Sequence, residues 1–141
     1  MTTKSWGYGK EHDVRRRVKR VALTAGLANA FAFAWQNPES KKIIVDRVVV
    51  DKTVAGGTAT SVLDVGIVAS ATDTADTLID GLDLNSAAVA DNISDIGTNG
   101  KARGKVDENG GTNDWITGKI LVANASALAG YAYIFYLIVE D

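Results

Sequence analysis

The stretch ILVANASALAGYAYIFYLIV, residues 120–139, decides the fold. At twenty residues it matches a membrane-spanning helix, which needs about 20 apolar residues, and its tyrosines could sit in an interfacial belt. Its internal pattern argues otherwise. Asn124 and Ser126 would interrupt the first half of such a span, and Tyr131, Tyr133 and Tyr136 would fall within its second half. NASALAG, residues 124–130, has the small, partly polar composition of a connection between two runs. Two strands account for the pattern better than one helix. In the second strand Tyr131, Tyr133, Phe135, Leu137 and Val139 alternate with Ala132, Ile134, Tyr136 and Ile138, so both faces are apolar. Such a strand is expected to be covered twice, by the opposite sheet and by another subunit or the N-terminal segment. Tyr131, Tyr133, Phe135 and Tyr136 are therefore candidates for an oligomer interface.

Upstream, short apolar runs alternate with clusters of Gly, Asn, Asp, Ser and Thr, which is the punctuation of an all-β chain. KIIVDRVVVD (42–51) is the clearest strand. Strict alternation there places Ile43, Val45, Arg47 and Val49 on one face, with Ile44, Asp46, Val48 and Val50 on the other. FAFAWQN (31–37) sets Phe31, Phe33 and Trp35 opposite Ala32, Ala34 and Gln36. SVLDVGIVAS (61–70) has its better core face at Leu63, Val65, Ile67 and Ala69. TLIDGLDLN gives a shorter strand or turn pair, and AAVADNISDIG reads as a short helix or a loop anchored by Ile93 and Ile96. The expected fold is an antiparallel β-sandwich or jelly roll of roughly seven or eight strands.

A chain of 141 residues is about one domain. Residues 1–20 carry seven Lys and Arg against Glu11 and Asp13, a net +5, so the remainder carries −7 within the overall −2. A basic N-terminal arm over residues 1–30 is expected to precede a β-sandwich domain over 31–141. Such an arm suits an anionic partner or is simply a solvated charge block. Nucleic acid is the weaker partner, because the body has no basic stripe with interleaved aromatics. The run RRRVKRVALTAGLANAFAFA has the outline of an export signal, but polar residues precede its charges and Thr24, Gly26 and Asn29 interrupt its apolar part.

Catalytic patterns do not emerge. With no cysteine, thiol catalysis and thiolate metal sites are excluded, and His12 is the only histidine, placed within the charged arm. GTNGK (97–101) lacks the spacing of a phosphate-binding loop. Asp73 with Asp76, Asp80 with Asp83, and Asp107, Glu108, Asn109 and Asp114 could offer oxygens to Ca²⁺, but such residues more commonly build turns. NIS at 92 and NAS at 124 match glycan acceptor triplets by chance. No catalytic residue, cofactor, metal or small-molecule substrate is expected, and the chain does not read as an enzyme.

FAFAWQNPESKKIIVDRVVVDKT, SVLDVGIVAS, TLIDGLDLNS, GTNGKARGKV and NDWITGKILVANASALAGYAYIFYLIVE together resemble head decoration, or capsid cement, proteins of tailed bacteriophages over about residues 31–139. WQNPE, LDVGIV and the terminal DWITG…AGYAYIFYLIV carry most of the resemblance. It implies a β-sandwich that forms a homotrimer, binds the outer surface of the major capsid protein lattice in the virion and stabilises the capsid. On that reading Trp6, Tyr8, Arg15, Arg16, Arg17, Lys19 and Arg20 are the candidate capsid-binding residues. A tail or head–tail connector subunit, or a carbohydrate-binding β-sandwich, are the alternatives.

Overall fold

The computed structural model describes residues 16–139, and every element among them is a strand or a turn. The strands are β1 (Arg16–Ala22), β2 (Phe31–Gln36), β3 (Ile43–Val54), β4 (Val62–Val68), β5 (Ile79–Asp83), β6 (Val89–Asp91), β7 (Gly104–Val106), β8 (Trp115–Leu121) and β9 (Ala129–Ile138). They form two antiparallel sheets, β1-β9-β3-β6 with β7 also on β3, and β2-β8-β4-β5. Because β6 pairs with residues 49–51 and β7 with residues 43–45, the two lie in succession along one edge of β3. Counting them as one position leaves eight, and the chain crosses between sheets after β1, β2, β3, β5, β7 and β8. That winding makes the sandwich a jelly roll. The stretch 120–139 supplies the end of β8, a turn and β9, and no described helix is long and apolar enough to cross a membrane.

The core lies between the sheets. Ile43, Val45, Val48, Val50, Ala132 and Ile134 from the first sheet meet Leu63, Val65, Ile79, Ile116 and Ile120 from the second, all without measurable exposure. Trp35 and Tyr136 pack against each other across the layers with ring centroids 5.4 Å apart and planes inclined by 43°, and Phe33 lies over Gly118, where a Cβ would approach its ring to 2.4 Å. A side chain at 118 would displace that ring.

Two bulges correct the strict alternation expected from sequence. In β3 the register shifts between Val45 and Arg47, so Ile43 and Val45 are followed inward by Val48 and Val50, while Ile44, Arg47 and Val49 share the other face. One extra residue at Asp46 changes the phase of everything after it. In β2 the shift between Phe31 and Phe33 leaves Phe33 and Trp35 buried and turns Phe31 outward, where the Lys119 ammonium lies 5.6 Å from its ring. The basic segment expected as an arm through residue 30 joins the fold earlier. Arg16–Ala22 pairs with β9 along its whole length, and Leu23 belongs to the core.

The ambiguous segment after residue 86 is a short strand followed by a turn, anchored by Asn92. Its buried carboxamide accepts from Val48 N at 2.7 Å and donates to Lys101 O at 2.9 Å, whereas Ile93 is exposed. Burial also removes Asn92 as a glycan acceptor. The WQNPE and DENGGTND loops form one polar junction. Buried Asn37 donates to Lys41 O and Asp107 O, and buried Asp114 accepts from Gln36 and from Gly110 N. The carboxylates of that loop thus do the turn-building work expected of them.

Candidate functional site: an aromatic and cationic sheet face

The outer faces of the two sheets differ in cover. Over β4 and β8 the connection 69–78 folds back on the sheet: Thr117 Oγ1 donates to Asp73 O at 2.8 Å, and Ile67 N donates to Thr77 Oγ1 at 3.0 Å. Gly66 allows this approach, since a Cβ there would come within 2.4 Å of Ala75 O. Val68 and Thr117 are consequently buried although both lie on the outer side.

Among the described residues no segment is hydrogen-bonded across the outer face of the first sheet. Residues directly opposite in an antiparallel pair share a face. Arg16, Val18, Arg20 and Ala22 of β1 are opposite Leu137, Phe135, Tyr133 and Tyr131 of β9, which in turn are opposite Ile44, Arg47, Val49 and Asp51 of β3. The result is an aromatic rib with cations along one border. The Arg16 guanidinium lies 4.8 Å from the Phe135 ring and reaches Asp46 at 3.1 Å, while that of Arg20 lies 4.5 Å from the Tyr131 ring. Cation–π contacts at exposed sites contribute about 0.5–1 kcal/mol each. They hold the arginines against the rib, and Val18 stands beside them, 55% exposed.

The structure divides the residues expected to act together. Trp6, Tyr8, Arg15 and His12 lie outside the described residues. Arg16 and Arg20 are on the rib, but Arg17 and Lys19 alternate to the other side of β1. There Arg17 bonds Glu39 Oε2 at 3.1 Å, and Lys19 is exposed. Of the four aromatics expected at a subunit contact, Tyr131, Tyr133 and Phe135 are on the rib, half-buried within the single chain. Tyr136 is not a surface residue. It points into the core against Trp35, 4% exposed, and its hydroxyl donates to Glu39 Oε2 at 2.9 Å. Burial first, then the bond to Glu39, pushes its pKa up to about 12.

Two features had no signal in the sequence. Lys52 is 3% exposed, with Nζ donating to Asp83 O at 2.7 Å, beside a cavity of about 380 Å³ also lined by Asp80, Asp83, Ser86 and Asp95. Burial lowers its pKa, and the charges of Asp83 and Asp95 oppose that shift. Val122 adopts a φ of 71° and is 74% exposed, an unfavourable backbone for a β-branched residue. Leu27, 64% exposed, sits in the neighbouring loop, which is joined to the Val122 turn through Gly26, Ala125, Ala28 and Asn124.

Asp64, Asp76 and Asp80 place carboxylate oxygens within 4.8 Å of one another. Each already serves the local fold: Asp64 accepts from Gly81 N, Asp80 from Asn99 N and Asp76 from the Asn99 side chain. Burial holds the Asp64 carboxyl above its ordinary pKa, against the bond from Gly81 N.

The described chain is thus a jelly roll whose distinctive surface is a sheet face suited to contact. No protein-family profile and no curated protein sequence matches it. In fold it is similar to a chain of the "Cyanophage Pam1 capsid asymmetric unit", with a TM-score of 0.50 and 18% identity, over 99% of this chain and 94% of that one. At that identity the likeness is one of fold, and it runs nearly end to end in two chains of similar length.

Proposed function

We propose that the protein is a non-enzymatic structural protein of a tailed-phage virion: a head decoration protein that binds the outer surface of the major capsid protein lattice and stabilises the shell as a homotrimer. Jelly rolls serve many functions, so the fold alone does not carry this reading. The carrying observation is the outer face of the first sheet, where Arg16 and Arg20 border the rib of Tyr131, Tyr133 and Phe135. Aromatic and arginine side chains are enriched where proteins meet. The likeness in fold to a chain of a phage capsid and the resemblance of the WQNPE, LDVGIV and terminal motifs to capsid cement proteins point to the same class of partner.

The same face argues against the carbohydrate-binding alternative. Sugar stacking needs open, flat aromatic faces, whereas Tyr131 and Tyr133 are inclined by 53° and arginines lie over Tyr131 and Phe135. Trp6, Tyr8 and Arg15 remain part of the proposed shell contact. The test is cryo-electron microscopy of shells of the major capsid protein incubated with the protein. Added density is expected in scattered trimers on the outer surface, with a higher disruption temperature for the shells. Density confined to a tail or connector ring, or shells that stay bare, would refute the proposal. Trp6→Ala with Tyr8→Ala in the full chain should weaken binding and leave the described strands intact.

A further inference from the structure

Among the described residues the border of the rib is also an open sheet edge. β1 is the terminal strand of its sheet, and six of its seven residues are exposed. Its pairing with β9 fixes which backbone groups are free. Leu23 N bonds Gly130 O at 2.9 Å, and these residues are opposite one another if the β1–β9 register is continued by one place. In an antiparallel ladder hydrogen-bonded and non-hydrogen-bonded pairs alternate. Val21, Lys19 and Arg17 therefore bond β9, whereas the N–H and C=O groups of Arg16, Val18, Arg20 and Ala22 point away from the sheet.

Four of the seven side chains on this edge are cations, and they project to both faces: Arg16 and Arg20 to one, Arg17 and Lys19 to the other. A second copy of β1 is a poor partner, because Arg and Lys would oppose one another across the new ladder. Lysine on an edge strand commonly discourages that kind of pairing. The same charges favour an extended segment with Asp or Glu on both sides. Arg16 and Arg17 each have one acidic partner within the chain, while Lys19 has none among the described residues.

We infer that the free edge of β1 accepts an acidic extended segment of the shell protein as an added strand, paired through the backbone of Arg16, Val18, Arg20 and Ala22. This rests on the proposed shell contact and specifies its chemistry: main-chain bonds provide the docking, and the four cations select for acid.

Val18→Pro tests it selectively. Proline removes an N–H that faces solvent, and an edge strand tolerates it there, so pairing with β9 should survive. Hydrogen exchange on the full chain bound to shells is expected to slow at Arg16, Val18, Arg20 and Ala22, and Val18→Pro to weaken shell binding by about tenfold or more. A fluorescent peptide repeating Glu-Glu-Val-Thr, which as a strand carries Glu on both faces, should bind the isolated protein and protect the same amides. If shells bind but those amides exchange unchanged, or Val18→Pro binds as tightly as the native chain, the edge is not the docking site and the decoration reading stands. If shells fail to bind while the peptide protects these amides, the decoration reading falls and the acidic-strand specificity of the edge holds. Failure of both overturns both.

Discussion

Replacing Tyr136 with Phe tests whether the residue belongs to the core, and it makes a quantitative prediction about alkaline stability. At neutral pH the substitution removes the hydroxyl that donates to Glu39 Oε2 at 2.9 Å, leaving Arg17 as that oxygen's other partner. A hydrogen bond to a charged acceptor contributes about 1.5 kcal/mol, so the native protein should be the more stable by roughly that amount. The folded-state pKa of Tyr136 is raised from 10.0 to about 12, chiefly by burial. Between these values the unfolded chain releases a proton that the folded chain retains, so stability falls as pH rises. The full shift corresponds to a loss of about 2.7 kcal/mol. Because a phenylalanine has no such proton, the gap between the two proteins should close and then reverse near pH 11, a crossing that follows from these two magnitudes. Paired urea unfolding curves from about pH 8 to about pH 12, followed by tryptophan fluorescence, measure the gap directly, because titrations common to both proteins cancel. A gap that stays constant over this range would refute the placement of Tyr136 against Trp35 and Glu39.

Three further outcomes follow from single positions. Gly118→Ala should cost about 1–3 kcal/mol by thermal unfolding, because its Cβ would press on the Phe33 ring, and Phe33→Leu in the same chain should recover part of the loss. Gly66→Ala should lift the 69–78 connection while leaving both sheets formed, seen as selective proteolysis near Ala75 with an unchanged far-ultraviolet spectrum. Val122→Gly should raise stability by about 1 kcal/mol by releasing the backbone at φ 71°.

The strands were legible in the sequence because each is a short β-branched or aromatic run bounded by turn residues. Their phase was less so. Asp46 and Arg47 look like ordinary members of an alternating strand, but the apolar residues at 43 and 45 and again at 48 and 50 fit one face only with a bulge between them. β9 posed a different difficulty: with apolar residues on both sides, periodicity gives two equivalent faces. The choice depends on distant partners, Trp35 from the opposite sheet and Glu39 from the WQNPE loop, which give the tip of Tyr136 an acceptor inside the fold. Lys52 was hidden for the same reason, since its acceptor, Asp83 O, lies 31 positions away. Contacts created by the jelly-roll crossings leave no local pattern to read.

Residues expected to serve separate roles, Arg16 and Arg20 for the shell and Tyr131, Tyr133 and Phe135 for subunit association, occupy one face, and its size sets a limit on what it can do. Three strands about 4.8 Å apart, overlapping for some seven residues, present roughly 300–400 Å². A standard interface takes about 800 Å² from each partner. The face is therefore too small to hold a shell subunit and a neighbouring copy at once, and either contact must recruit further surface. Under the proposed function its exposed cationic border and the edge beside it suit the shell contact, which leaves the contacts of the proposed trimer to other surfaces. Arg20→Glu then has an asymmetric expected effect: shell affinity falls about tenfold at low salt, as for loss and reversal of a charge at a complementary interface, while the mass of the free protein by analytical ultracentrifugation is unchanged. If Arg20→Glu instead dissociates the free oligomer and spares shell binding, the rib faces a second copy and the assignment is reversed.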